Sequence, residues 1–309
     1  MLAVTFDTVR QLTASGIVNG SAYGLLGVAF ALILGVTGRF HYAFGVLYTL
    51  AAYLAFTFFD RTGWPIMVAV VLGILITTLM GVGIEAYIYK PLAARAGDNS
   101  LLAVFVASLG LGIAGGNLIQ IFWGAQTHSL LGMTIKPVEI LGANVINVDV
   151  YAVLSAIVLV AILSALLRFT GLGRSIKATR SNPDMALLVG VDPARIYLVV
   201  FAIAGFFAGV AAIFSALKYS VDPTMGFRPV VLAFVVAFLG GTSSPPIRVY
   251  LCGVLIGLIE TISSIWLSVR WNQLVVFVIL VVYLVSFSVN RSLLARLRQF
   301  VASPTSRPA

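Results

Sequence analysis

Thr170–Arg195, TGLGRSIKATRSNPDMALLVGVDPAR, forms a polar island between two long apolar runs. It holds Arg174, Lys177, Arg180 and Arg195, with Arg168 at its edge. Its centre is punctuated as a short helix. Asn182 can cap, Pro183 suits the first helical position, and Asp184 places negative charge in the first turn. Gly190 supplies a left-handed stop. Met185, Leu188 and Val189 then fall on one face at i, i+3, i+4 spacing, with Ala186 between them. Asp192 and Pro193 repeat the cap-and-start signal for the next run. A separately capped, one-sided apolar helix in a loop has two readings. It lies on the lipid interface, or it docks on a soluble partner.

The rest of the chain is apolar enough to make this island conspicuous. Of 309 residues, 61% are hydrophobic and 9% charged, and the mean hydropathy is +1.08. A soluble domain carries about 25% charged residues, so the expected class is an all-α, polytopic transmembrane bundle. Apolar runs fall at Ala14–Val36, Tyr42–Phe59, Trp64–Tyr89, Ser100–Trp123, Asp149–Phe169, Ile196–Leu217, Gly226–Gly241, Val249–Leu267 and Leu274–Val289. That is about eight or nine spans. Tyr42–Phe59 and Gly226–Gly241 are short, and whether they cross fully is open. Each joins a neighbour through a glycine-bearing turn, Gly35–Gly38 or Gly240–Ser244, a pattern shared with broken helices around a pathway and with plain small-residue packing.

Charge gives the orientation. With nine spans, thirteen of the nineteen Lys and Arg collect on the side that holds the island. The positive-inside rule then predicts the N-terminus outside, the island in the cytoplasm and the C-terminus in the cytoplasm. The basic balance follows from that rule and does not indicate nucleic acid. Residues 1–290 form the expected membrane domain, with the loop 170–195 within it, and 291–309 a basic, Ser- and Pro-rich cytoplasmic tail. The longest outside loop, Gly124–Val148, contains β-like pieces such as Asn144–Val148. No cleavable signal peptide is evident in the sequence.

Few residues carry chemistry. Glu260 lies inside a run, sharing a face with Gly257, Ser263 and Ser264. An acid at mid-membrane costs about 2.5–3.5 kcal/mol, so it needs protein, water or a partner. Either it lines the pathway or it bonds a neighbouring helix. Glu85 precedes Lys90 and Arg95 and suggests an interfacial ion pair. Asn117 and Gln120 can bond across helices. His41 and His128 read as surface histidines, because neither has the second ligand a metal site requires. Cys252 stands alone, so no disulfide framework exists. Neither GxxxxGK[ST], HExxH nor GxSxG occurs, so no ATP cradle, zinc helix or nucleophile elbow is visible.

Several segments resemble branched-chain amino acid ABC importer permeases. Leu172–Ala178, Asn182–Ala186 and Leu188–Val191 resemble that family's cytoplasmic coupling loop. Asn19–Tyr23 resembles its first span. Glu85 with Tyr89, Lys90 and Pro91 matches its E-x-x-x-Y-[RK]-P pattern. Ala107–Gly110 with Asn117, Leu239–Gly241, and Gly257 with Glu260 agree in order, so the likeness runs from Ile17 to Val289. It departs at the two gate turns. His41–Val46, including Gly45, stands where the family often has N-[FA]-A-[HQ]-G-E. After Gly240 and Gly241, Thr242–Arg248 replaces a glycine run.

The resemblance implies a permease dimer, usually with a second related permease. It also implies two cytoplasmic ATPases and a periplasmic substrate-binding protein. ATP and Mg would then bind the partner subunits, and this chain would hold no cofactor and not be an enzyme itself. It places the chain in a bacterial inner membrane, carrying branched-chain or other hydrophobic amino acids. Same-architecture permeases carry urea, amides, organic acids or sugars, and a stand-alone transporter or channel is the alternative from another class.

Overall fold

The computed structural model describes residues 6–130, 136–140, 142–268, 271–272 and 274–286. The tail 291–309 lies outside the described residues. Each apolar run is mostly helix where described, with turns or irregular backbone at 42–43, 64–65 and 264–267. The long helices are α1 (Phe6–Thr37), α3 (Ile66–Gly83), α5 (Ser100–Trp123), α6 (Asn147–Phe169), α9 (Pro193–Lys218) and α11 (Pro246–Ser263), and the short α4 (Lys90–Ala96) precedes α5. Each long helix has at least 18 residues, enough to cross or nearly cross a hydrocarbon layer of about 30 Å. Rows of exposed apolar side chains on α3 (Met67, Val71, Leu75) and α6 (Leu154, Val158, Ile162) give the bundle a lipid-compatible surface.

Neither short run forms one uninterrupted α-helix of spanning length. α2 (Phe44–Phe56) has 13 residues and α10 (Phe227–Gly240) has 14. At 1.5 Å per residue each is about 20 Å long. After α1 ends at Thr37, the chain turns back through residues 38–43 and re-enters the core. Phe40 and Phe44 both meet the Phe30 ring, at 5.1 and 6.2 Å between centroids. α2 therefore starts inside the bundle. A further short apolar helix, α12, covers Leu274–Ser286.

α1 and α11 make the main seam, antiparallel and built on small residues. Gly16, Gly20 and Gly24 of α1 face Leu258, Val254 and Tyr250 in turn. A Cβ on Gly20 would sit 2.7 Å from the Val254 Cα, so only glycine permits this backbone approach. Tyr250 adds a hydroxyl bond to Ser21 Oγ at 3.0 Å.

The loop after α5 contains the one sheet among the described residues, a hairpin of β1 (Pro137–Ile140) and β2 (Ala143–Ile146). The strand ends before the expected Val148, because Asn147 opens α6 and its Oδ1 accepts from Val148 N and Lys136 N. Gln11 of α1 pairs both ways with the Asn144 backbone, fixing the hairpin against the start of α1. The start of α1 and the polar island therefore lie at opposite ends of the bundle. At the island end, α7 (Gly171–Ser181) was not anticipated. Thr170 Oγ1 caps it at Gly173 N, while Gly173, Ile176 and Thr179 turn inward and Arg174 and Lys177 outward.

Candidate functional site

The island folds locally as its residues dictate. α8 is Pro183–Leu188, and Asn182 Oδ1 accepts from Asp184 N and Met185 N at 3.0 and 3.1 Å. Gly190 has φ +83, its N donates to Leu187 O, and Val191 N donates to Ala186 O. These two bonds close the helix as a Schellman motif. Val189 is thus the C-cap and lies outside the helix. Asp192 Oδ1 then accepts from Ala194 N and opens α9. Ala186 is buried, whereas Met185, Leu187, Leu188 and Val189 are 60, 60, 79 and 76% exposed. Leu187 was missed because i, i+3, i+4 counting assumes one narrow face, and so short a helix on the surface exposes more.

Below the island lies a buried polar cluster. Arg39, on the turn after α1, pairs with Glu85, which sits in a π-helical turn (Ile84–Tyr89) after α3. Glu85 is 1% exposed and Arg39 is also buried. The expected partners of Glu85 were Lys90 and Arg95, the near neighbours. The turn at 38–43 instead folds back and brings Arg39 to it across 46 residues. The Arg39 guanidinium also lies 5.1 Å from the Tyr197 ring centre in the first turns of α9. His41 is not a surface residue: it is fully buried, its Nδ1 2.8 Å from Tyr89 Oη and its ring against Phe201. His128 is likewise half-buried. It stacks on Phe56 at 4.7 Å and bridges Val221 through both backbone bonds.

The third element is where α2 and α10 begin. Gly45 belongs to the first turn of α2 and not to a surface gate turn. A Cβ on Gly226 would overlap the Gly45 carbonyl, and Gly226 N donates to Thr49 Oγ1. The two helices diverge from this point. α2 runs toward Trp123 at the far end, and α10 toward Gly240 at the island end. Gly240 is the last residue of α10, and Gly241, with φ +85, opens the turn closed by Ser244 N donating to Gly241 O. Turn bonds from Phe44 N to His41 O and from Phe227 N to Thr224 O satisfy first-turn donors inside the apolar core.

A cavity of about 580 Å³ opens beside this junction, lined by Tyr42, Gly45, Val46, Thr49, Ile113, Asn117, Gln120, Thr224, Phe227 and Arg228. Asn117 does not bond across helices. It is exposed on the rim and donates to Ile113 O of its own helix. Arg228 pairs with the buried Glu260, and the Tyr23 phenol lies within electrostatic reach of that carboxylate. Ser263 and Ser264 are half-buried and spend their hydroxyls on Glu260 O and Thr261 O, so they do not form a polar lining. A second cavity of about 490 Å³ shares Thr224 and Arg228 as a wall, with Tyr23, Tyr48, Asp222 and the Asp149–Lys218 pair beyond. Nothing in the sequence placed Arg228 here, because its partner lies 32 residues on.

Comparison with known proteins agrees with this architecture. The chain is 25% identical to the high-affinity branched-chain amino acid transport system permease protein LivH of Escherichia coli (strain K12). The match covers 89% of this chain and 92% of that protein. BraD, the corresponding permease protein of Pseudomonas aeruginosa, matches at the same identity and coverage. The fructose import permease protein FrcC of Rhizobium meliloti is 24% identical over 84% of this chain and 72% of its own. The family described as branched-chain amino acid transport system permease components matches residues 12–284, and the chain, an integral membrane protein, belongs to it.

Proposed function

We propose that this chain is the membrane-spanning subunit of an ATP-driven importer for amino acids with hydrophobic side chains. Two cytoplasmic ATPases bind and hydrolyse ATP with Mg, a second permease completes the pathway, and a periplasmic protein delivers substrate. The island faces the cytoplasm and the start of α1 faces outside. Nucleotide-driven closure of the ATPases pulls on α8, and the helices beneath rock the pathway open on one side or the other.

The observation that carries the substrate reading is the larger cavity. Arg228 is the charged side chain among its lining residues, and Tyr42, Val46, Ile113, Phe227 and Val230 supply apolar lining. A carboxylate suits a guanidinium fork, and an aliphatic side chain suits that lining. Thr49, Asn117, Gln120 and Thr224 on the same lining offer partners to the hydroxyls of a sugar, the rival substrate. The likeness to a fructose permease supports the rival substrate.

Reconstitution with the partner subunits tests both. ATP-dependent uptake of leucine that exceeds uptake of fructose is the expected result, with Arg228→Gln lowering leucine uptake about tenfold, the scale of one lost charged hydrogen bond. Fructose uptake without leucine uptake would overturn the substrate assignment.

A further inference from the structure

The buried cluster under the island lines neither of the two cavities, yet it joins the elements that transport must connect. Taking two charges out of water is costly, and a hydrophobic pair of similar volume is often as stable. Arg39 and Glu85 are nevertheless both buried, in the apolar body of the bundle. Their positions explain what they join. Glu85 lies on the π-helical turn that closes α3 and packs on α9. Arg39 lies on the returning segment 38–43, whose far end is the first turn of α2. Tyr197 holds the Arg39 guanidinium from the start of α9, the helix that leaves the island. Asp184 of α8 is in turn within electrostatic reach of the Tyr197 phenol.

α8 is joined to α9 by the four residues 189–192, with Asp192 capping the first turn of α9. From Tyr197 of α9 the contacts pass to the Arg39–Glu85 pair, along 38–43 to Gly45, and across to Gly226 at the head of α10. His41 and Tyr89 brace the segment from the same two elements, bonding at 2.8 Å. A segment of six residues pinned this tightly moves as one piece. A shift of α9's first turn must either carry Arg39 with it or break the pair.

We infer that Arg39 and Glu85, seated under Tyr197, are the positioning residues that pass motion of the ATPase-docking segment to the junction of the two short helices. This rests on the importer reading given above. Arg39 and Glu85 are buried and line neither of the two cavities, so their loss is expected to act on the response alone. With the pair broken, α8 still engages its partner, but the junction no longer follows.

The test measures that response without needing the substrate. Spin labels replace Asn117 on α5 and Phe227 on α10, both exposed on the rim of the larger cavity, in a Cys252→Ala background. In the assembled complex, ATP with Mg and vanadate shifts the distance between them. Glu85→Gln and Tyr197→Leu are expected to cut that shift at least by half while the ATPase subunits remain bound. The exchange of Arg39→Glu with Glu85→Arg is expected to restore it relative to either single charge change. Tyr197→Leu leaves the ion pair in place, so it serves where a charge variant fails to insert. An undiminished shift in Glu85→Gln or Tyr197→Leu would overturn the inference and leave a purely structural pair. A parent complex that binds ATPase subunits but shows no nucleotide response overturns the relay alone. A parent that binds none overturns the importer reading as well.

Discussion

Gly45 and Gly226 meet backbone against backbone, 181 residues apart in sequence, and neither position has room for a methyl group. A Cβ on Gly45 would stand 2.9 Å from the Gly226 carbonyl oxygen. This contact lets two helices begin at one point inside the bundle and leave in opposite directions. It also seats Thr49 Oγ1 against Gly226 N.

That contact predicts a stability effect. Gly226→Ala should lower the thermal midpoint of the detergent-purified chain, because overpacking of this kind costs about 1–3 kcal/mol. Gly110→Ala, where a Cβ meets nothing within 4 Å, is the control and should not lower it. Equal midpoints for both variants would show that the junction relaxes freely.

Orientation is tested by labelling. Thr127 and Ser181 are exposed at opposite ends of the bundle. Single cysteines there, in the Cys252→Ala background, should react with a membrane-impermeant maleimide from opposite faces of intact cells, Thr127 from outside. Reaction of both from one face would contradict the arrangement.

The sequence shows local chemistry well and distant pairing poorly. α8 was legible because Asn182, through its side-chain cap, and Pro183 and Gly190, through their backbones, all act within nine residues. The short runs were visible as short, but that they start inside the bundle depends on Gly45 meeting Gly226. His41 looked exposed because it follows a glycine turn beside Arg39. Its burial comes from Tyr89, 48 residues on. Glu85 and Glu260 were each visible as acids needing a partner. The partners, Arg39 and Arg228, are chosen by helix contacts that no periodicity reports. α7 escaped notice because its inward face is made of Gly173, Ile176 and Thr179, with a single strongly apolar residue among them.

Glu260 is expected to hold Arg228 in place. Glu260→Gln keeps a hydrogen-bond acceptor for the guanidinium, so assembly should persist while uptake falls several-fold. Glu260→Leu removes it and leaves Arg228 with no carboxylate partner. A further loss of about 1–3 kcal/mol in stability is expected, at the lower end because Arg228 is half exposed. Unchanged uptake in both variants would remove the pair from the pathway.

Val46 packs against Gly115 of α5 at the edge of the larger cavity, which it helps to line. Val46→Glu would add an acid to a cavity whose charged lining residue is Arg228. Uptake of leucine relative to its desamino analogue should then rise, since only leucine brings an ammonium group to pair with the acid. An unchanged ratio would mean that substrate does not pass this wall.

The docking role of α8 is tested by Leu188→Asp, with ATP hydrolysis and uptake followed in the same proteoliposomes. Burying a leucine contributes about 1.5–3 kcal/mol, and an unpaired charge in a groove costs more than the lost area. Leu188 is 79% exposed, so the membrane bundle itself should insert and fold as before. The account predicts a stable permease that has lost its ATPase subunits, or one whose ATP hydrolysis no longer responds to substrate. Hydrolysis and uptake that stay coupled in Leu188→Asp would contradict it, and would place α8 on the lipid surface instead.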